Sequence, residues 1–111
     1  MNAYEIPNLR YSLPAGGAVA RHRFVSVNAD SNGIQATAAT QVIGASMNQA
    51  SAGQVLEIAN GIVMVEAAGA VTAGSLAYAN AEGKVTAEGT VVAGVVITSA
   101  VAGGLAAVKI N

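Results

Sequence analysis

Hydrophobic residues occur along the chain in short runs that glycine and small polar residues interrupt. Runs of this length between turn-forming residues predict β-strands, whereas a helix of useful length would have to include several glycines. The pattern therefore predicts an all-β protein, a small antiparallel β-barrel or sandwich (tulip-like). Eight runs rich in Val, Ile and Thr are the predicted strands: Arg23–Val27, Val42–Met47, Gln54–Ala59, Ile62–Glu66, Ser75–Ala79, Lys84–Ala87, Val91–Thr98 and Leu105–Ile110.

Turn signals stand between several of these runs. Asn60-Gly61 separates two apolar runs by two residues, which predicts a β-hairpin. Asn32-Gly33 and Glu82-Gly83 mark two further turns. The alanine-rich stretch 36–39 is compatible with a single helical turn.

One stretch of the sequence recurs fifty residues later. Val42–Ala59 aligns without a gap on Val92–Lys109. Upstream the offset is 52, and we place the two extra residues of the first copy at 30–33, so that Gly33 falls on Gly83. An internal repeat of this kind predicts two similar structural units within one domain. The predicted domain is residues 15–111, with repeat 1 at about 15–60 and repeat 2 at about 67–110.

Residues 1–14 precede the repeat and have no recognisable counterpart in its second copy. They contain both prolines of the chain, and proline biases the residue before it toward an extended backbone. We therefore predict an extended N-terminal arm. Tyr and Arg are frequent in interface hot spots, and an extended segment can add a strand to a neighbouring sheet. The arm either binds a partner or packs back on its own domain, and its candidate contact residues are Tyr4, Ile6, Arg10 and Tyr11.

A second candidate contact is the basic triplet formed by Arg21, His22 and Arg23. The aligned residues of the second copy are Ala73-Gly74-Ser75, so the triplet is not part of the repeated scaffold. Basic residues on an edge strand are also a common protection against unwanted strand pairing. The triplet therefore either contacts an acidic partner or protects an exposed sheet edge.

The sequence contains no arrangement of residues that is typical of catalysis. It has no Cys, which removes thiolate zinc ligands and cysteine nucleophiles, and only one His. Residues 30–33 resemble the start of a calcium loop, but the later ligands are missing, which favours a turn. We predict no catalytic, cofactor-binding or metal-binding residues, no cofactor, and a protein that is not an enzyme.

Charge and hydropathy also argue against two classes of partner. The net charge is −1, which gives no indication of the basic patch that non-specific nucleic-acid binding needs. The uncharged stretch 89–108 is long enough to span a bilayer, but it contains four glycines, and the aligned stretch of the first copy carries Glu57. We expect neither a nucleic-acid partner nor a membrane partner. Only four residues are aromatic, so the core is thin, which favours a homo-oligomer that buries further surface.

Four phrases of the sequence resemble the capsid decoration (cement) proteins of tailed bacteriophages: Ala50–Val55, Val71–Tyr78, Gly83–Ala87 and Gly94–Ile97. The resemblance extends over about residues 15–110. It implies a structural virion protein without catalytic residues. Such a protein is made in the host cytoplasm, binds the outer capsid surface at junctions of the major capsid protein, often as a trimer, and stabilises the head.

A second hypothesis is a glycan- or receptor-binding module displayed on a phage head or fibre. Sites of that kind usually present aromatic side chains beside paired polar groups. Only Phe24 and Tyr78 are available as aromatic contacts in the predicted domain, which makes this hypothesis the weaker one.

Overall fold

The computed structural model describes residues 6–110, with side chains from residue 10 onward. This part of the chain contains no helix, and its nine strands form one curled antiparallel sheet, a half-barrel, which confirms the all-β prediction. The sheet order is β3-β2-β4-β5-β9-β8-β6-β7, and β1 pairs with β5. The strands are β1 (Ile6–Pro14), β2 (Phe24–Val27), β3 (Gly33–Gln35), β4 (Gly44–Ser46), β5 (Val55–Glu66), β6 (Leu76–Ala79), β7 (Val85–Thr86), β8 (Val92–Val96) and β9 (Leu105–Ile110).

Each of the eight predicted runs overlaps an observed strand, and two of them, Gln54–Ala59 and Ile62–Glu66, are parts of the single strand β5. β3 was not predicted, because it has three residues and Ile34 is its one large apolar side chain. Stretch 36–39 forms no helix; the Thr40 N–H donates to the Thr37 carbonyl in a turn. Within the described residues no helix is long and apolar enough to cross a membrane, and stretch 89–108 holds β8 and the start of β9.

The predicted hairpin at Asn60-Gly61 is wrong, because β5 runs through both residues. Gly61 supplies the left-handed φ of 102° that the strand adopts there. β5 pairs with β1 from Val55 to Ile62 and with β9 from Ile62 to Glu66. It also pairs with β4 at residues 58 and 59, and Pro7 of β1 pairs with Gly61 itself. A turn at this point would break these pairings. The long-range partners of β5 therefore override the local turn preference.

Residues 6–14 are extended, but they form β1 in the sheet of their own chain. Tyr11 pairs with Ile58 of β5, and Val63 pairs with Val108 of β9 in the equivalent register. The premise that this segment has no counterpart is thus wrong for residues 10–14, which match 62–66. Sequence comparison missed the match because the two segments share alternating apolar positions and no identities. The division into an arm of residues 1–14 and a domain of residues 15–111 stays a prediction.

We refer to residues 10–59 as the first half and to residues 62–110 as the second half. The halves share a turn in which an Asn side chain accepts the backbone N–H groups two and four residues later, at 2.9–3.0 Å. The acceptor is Asn28 in the first half and Asn80 in the second. Ser31 and Gly83 occupy the same place in the turn, with φ of 63° and 74°. Gly83 therefore corresponds to Ser31 and not to Gly33, and the two extra residues lie after β3.

The buried apolar side chains form two clusters. One consists of six residues of the first half: Ala15, Val19, Val25, Ala50, Leu56 and Ile58. Their counterparts by strand register belong to the other cluster or, in the case of the partly buried Ala100, pack against it: Ala67, Val71, Ala77, Ala100, Ala106 and Val108. That cluster also takes in four residues of the first half: Phe24, Ala36, Ala45 and Ala59. The second half thus packs against one side of the first.

Candidate functional site

The two predicted contact groups lie on different parts of the sheet. Arg10 pairs with Ala59, Ala59 with Ala45, and Ala45 with Phe24, which follows the triplet directly. Three strand spacings of this kind amount to about 14 Å. The structure therefore does not bring the arm residues and the triplet into one site. Tyr4 lies outside the described residues, and of Ile6 only the backbone is described.

Arg10 and Tyr11 point to opposite sides of β1. Arg10 is exposed, and its Nη2 atom lies 3.9 Å from Oε2 of Glu57, with both side chains 57% exposed. An ion pair in that setting is screened by solvent and contributes little stability. Tyr11 packs against the buried cluster of the first half, and its hydroxyl donates to the Ile43 carbonyl at 3.3 Å. Burial raises the pKa of Tyr11. Arg10 is thus free to meet a partner, whereas Tyr11 mainly stabilises the sheet.

The loop that carries the triplet is anchored by a buried serine. Ser46 Oγ accepts the Arg23 N–H at 3.0 Å and donates to the Ala20 carbonyl at 2.6 Å. The Ser46 carbonyl accepts the His22 N–H at 3.1 Å. Sequence analysis missed this residue, although a small hydroxyl side chain within the apolar run 42–47 was a signal. Val96 occupies the equivalent position in the second half, so the anchor belongs to the loop that holds the triplet.

His22 has an unusual backbone conformation for its residue type. Its φ is 61°, and Gly74, the equivalent residue of the second half, has a φ of 91°. The left-handed region costs a residue with a Cβ roughly 1–2 kcal/mol, although His tolerates it better than most. The His22 carbonyl accepts the Glu66 N–H at 2.9 Å, and the buried Nδ1 atom has no hydrogen-bond partner. Both halves thus anchor this loop, and its exposed member, Arg21, directly precedes the anchored residue.

Arg23 connects the two halves of the molecule. Its Nη2 atom lies 3.4 Å from Oε1 of Glu66, and its Nη1 atom donates to the Glu82 carbonyl at 3.1 Å. The Lys84 Nζ atom lies 3.3 Å from the other Glu66 oxygen. The Arg23 and Glu66 side chains are 16% and 28% exposed, so solvent screens this pair less than the pair at Arg10. Sequence analysis treated the triplet as one contact and missed Glu66 and Lys84.

The Glu66 carboxylate makes stability depend on pH. Burial raises the pKa of Glu66, but the Lys84 hydrogen bond and the charges of Arg23 and Lys84 outweigh burial and hold the pKa below its usual value. A carboxyl group whose pKa is lower in the folded state stabilises the fold above its unfolded pKa, about 4.3. That contribution disappears as the pH falls through the lower folded value.

We expect Glu66→Gln to reduce the free energy of unfolding by about 1 kcal/mol at pH 7. The difference from the unmodified protein should shrink below pH 4.3, and urea unfolding at pH 7 and pH 3 measures it. The control, Glu88→Gln, removes an exposed carboxylate and should change stability by less than about 0.5 kcal/mol. A Glu66→Gln deficit that stays as large at pH 3 would contradict the assignment.

The described residues offer little for ligand chemistry. Within residues 6–110, no group of three His, Asp or Glu side chains is placed to hold a metal ion. Phe24, one of two aromatic contacts considered for a glycan, is fully buried and cannot stack on a sugar.

The comparisons with known proteins agree with this structural picture. The sequence model of the family described as "Phage cement protein" matches residues 4–110. The chain belongs to the phage cement protein family. It is a structural protein of the phage head, as the sequence resemblance implied.

A solved structure shares the fold. The chain is similar to "The crystal structure of head fiber gp8.5 N base in bacteriophage phi29", with a TM-score of 0.75, 15% identity and 93% of each chain covered. At that identity the likeness concerns the fold alone. No curated protein matches the chain.

Proposed function

We propose that this cement-family protein binds the outer surface of a phage capsid, at junctions of the major capsid protein, and stabilises the head without catalysing a reaction. The family match over residues 4–110 carries the proposal. A protein that binds the assembled capsid and not its free subunits stabilises the assembly by mass action. We further propose that it acts as a homo-oligomer, with a trimer favoured.

The proposed capsid contacts are the residues singled out from the sequence. Arg10 and Arg21 are exposed, and we assign them the leading roles. Arg23 and Tyr11 are partly buried and hold the surface that carries these two cations. The remaining members of the proposed set are Tyr4, Ile6 and His22.

The single variants Arg10→Ser and Arg21→Ser should each weaken co-sedimentation with undecorated capsids severalfold. Binding of both variants should also depend less on salt, because each loses an interfacial charge. Both should melt like the unmodified protein, since neither side chain is buried. Arg23→Ser should instead lower the melting temperature, because it breaks the contact with Glu66.

Glu88→Gln serves as the matched control, since it changes one exposed charge outside the proposed contacts. It should bind capsids as the unmodified protein does. If Arg10→Ser and Arg21→Ser also bind as the unmodified protein does, these two residues are not capsid contacts. If the unmodified protein does not co-sediment with capsids at all, the proposed function is wrong.

The burial of Phe24 counts against the alternative, a glycan- or receptor-binding module. No contact in the described part of the chain favours that alternative. Binding to a glycan array without affinity for capsids would support it.

A further inference from the structure

The turn of the second half packs against Phe24 and Ala36 of the first half. The Phe24 N–H donates to the Gly83 carbonyl at 2.7 Å. A Cβ atom on Gly83 would lie 3.1 Å from the Phe24 carbonyl oxygen and 3.3 Å from that of Ala36, which shows how closely the two approach. Phe24 and its strand neighbours Ala45 and Ala59 are fully buried. We call these three residues the first-half row, and residues 80–84 the second-half turn.

The chain contains a second row and a second turn of the same kind, which are not in contact with each other. The second-half row consists of Leu76, Val95 and Lys109. These residues pair across β6, β8 and β9 in the register in which the first-half row pairs across β2, β4 and β5. Leu76 is 49% exposed, although its counterpart Phe24 is fully buried. Lys109 is also exposed. The row is therefore buried in the first half, whereas the equivalent row of the second half is accessible to solvent.

The first-half turn, residues 28–32, has the conformation of the turn that packs on Phe24. Asn28 makes the two side-chain hydrogen bonds that Asn80 makes, and Ser31 has the left-handed φ of Gly83. Asp30 and Ser31 are exposed. A matching turn and a matching row are thus both accessible on one chain.

We propose that the first-half turn of a second copy of this chain packs on the second-half row. The Leu76 N–H would then donate to the Ser31 carbonyl of the second copy, as Phe24 donates to Gly83 within the chain. The charges are complementary in sign, since the turn carries Asp30 and the row carries Lys109. A second copy is the favoured occupant because the turn that fits this row lies on the same chain.

The contact between copies is weaker than the contact between halves. Ser75 replaces Arg23 and Pro14 replaces Glu66 at the equivalent positions, so the ion pair is absent. Pro14 also lacks the N–H that Glu66 donates to the His22 carbonyl. The contact joins two different surfaces, so it generates a ring if the rotation closes and a filament otherwise. A ring of three chains agrees with the trimer proposed above; the inference rests on that proposed homo-oligomer and not on capsid binding.

Cysteine cross-linking tests the contact directly, because the chain has no native Cys. Ser31→Cys chains and Ser75→Cys chains are mixed in equal amounts and oxidised. These positions correspond to Gly83 and Arg23. Within the chain, Arg23 contacts Glu82, and its neighbour Phe24 donates its N–H to the Gly83 carbonyl. Mixed disulfide dimers should form severalfold faster than in a control mixture of Ser31→Cys with Ser51→Cys, which places its thiol on another exposed turn. Equal rates in the two mixtures would overturn the proposal.

Leu76→Ser tests the same contact through the oligomeric state. Sedimentation analysis should show that the unmodified protein is an oligomer. In Leu76→Ser the dissociation constant of the oligomer should be at least tenfold higher, so that the variant is shifted toward monomer. The control Val101→Ser changes an aliphatic side chain that is 71% exposed and should leave association unchanged. An unmodified protein that is monomeric at every concentration would overturn the proposal. So would a Leu76→Ser variant that associates normally but binds capsids poorly, because the row would then face the capsid protein. Loss of capsid binding in the Arg10 and Arg21 variants with association intact concerns the proposed function alone.

Discussion

Gly94→Ala should destabilise the protein by about 3 kcal/mol or more, a large part of the roughly 5–15 kcal/mol that stabilises a typical domain. The added methyl group would overlap the Lys109 carbonyl oxygen, and it would lie 2.8 Å from the Lys109 carbonyl carbon and 3.1 Å from Ile110 Cα. These are backbone atoms of β9, which pairs with β8 at this point. Relief of the overlap therefore requires the two strands to separate. Urea unfolding measures the loss.

Gly69→Ala is the matched control for Gly94→Ala. A Cβ atom on Gly69 would meet no heavy atom within 4 Å, and its φ is not left-handed. The substitution should change the free energy of unfolding by less than about 0.5 kcal/mol, or stabilise slightly by restricting the unfolded chain. An equal loss in both variants would show that the close approach of β8 and β9 does not determine the effect.

Strand positions were predictable wherever they follow from local pattern. β2, β6 and β9 were recognised within one residue, because a Val- or Ala-rich run lies between turn residues. The pattern failed at Asn60-Gly61 for a physical reason. A hairpin and a continuous strand differ in which distant strands pair beside them, and a local turn signal contains no information on β1, β4 and β9.

The candidate surface was predictable in part, for the same reason. The residue types of Arg10 and Arg21 indicated exposed cations, and both are exposed. The different role of Arg23 depends on Glu66, which is 43 positions away in sequence. No spacing rule connects these two residues, because their proximity arises from the packing of one half on the other. The accessible row at Leu76 could likewise not be predicted from the sequence. It is recognised only when the exposure of Leu76 is compared with the burial of Phe24 in the structure.

Sequence identity also misplaced the extra residues of the first half. Gly33 was aligned on Gly83 because both are glycine, but strand pairing makes Val85 its counterpart. Gly33 pairs with Val27 and bridges to Ala15, and Val85 makes the corresponding contacts in the second half. A glycine thus stands where the other half has a buried valine. The difference in side-chain volume is reversed at Leu56, which lies next to Gly33 in space and corresponds to the smaller Ala106.

This exchange of volume predicts a large effect for Leu56→Ala. The Leu56 side chain is fully buried, and its Cδ2 atom would lie 2.8 Å from a Cβ on Gly33. The leucine therefore fills the space that the missing side chain of Gly33 leaves. Its removal creates a cavity, and we expect a loss of about 3–4 kcal/mol in the free energy of unfolding.

Gly33→Val should restore much of that loss, although it is harmful alone. In the unmodified protein the added side chain would press on the end of Leu56, with an expected cost of about 1–3 kcal/mol. In the Leu56→Ala background the valine would fill the cavity, as Val85 does beside Ala106, and both substitutions then reproduce a pairing that the second half already contains. A double-mutant cycle should therefore give a favourable coupling of roughly 2 kcal/mol or more. Simple addition of the two losses would contradict the correspondence between the halves. A favourable coupling would instead show that the same space in the core is filled by Leu56 and Gly33 in the first half and by Ala106 and Val85 in the second.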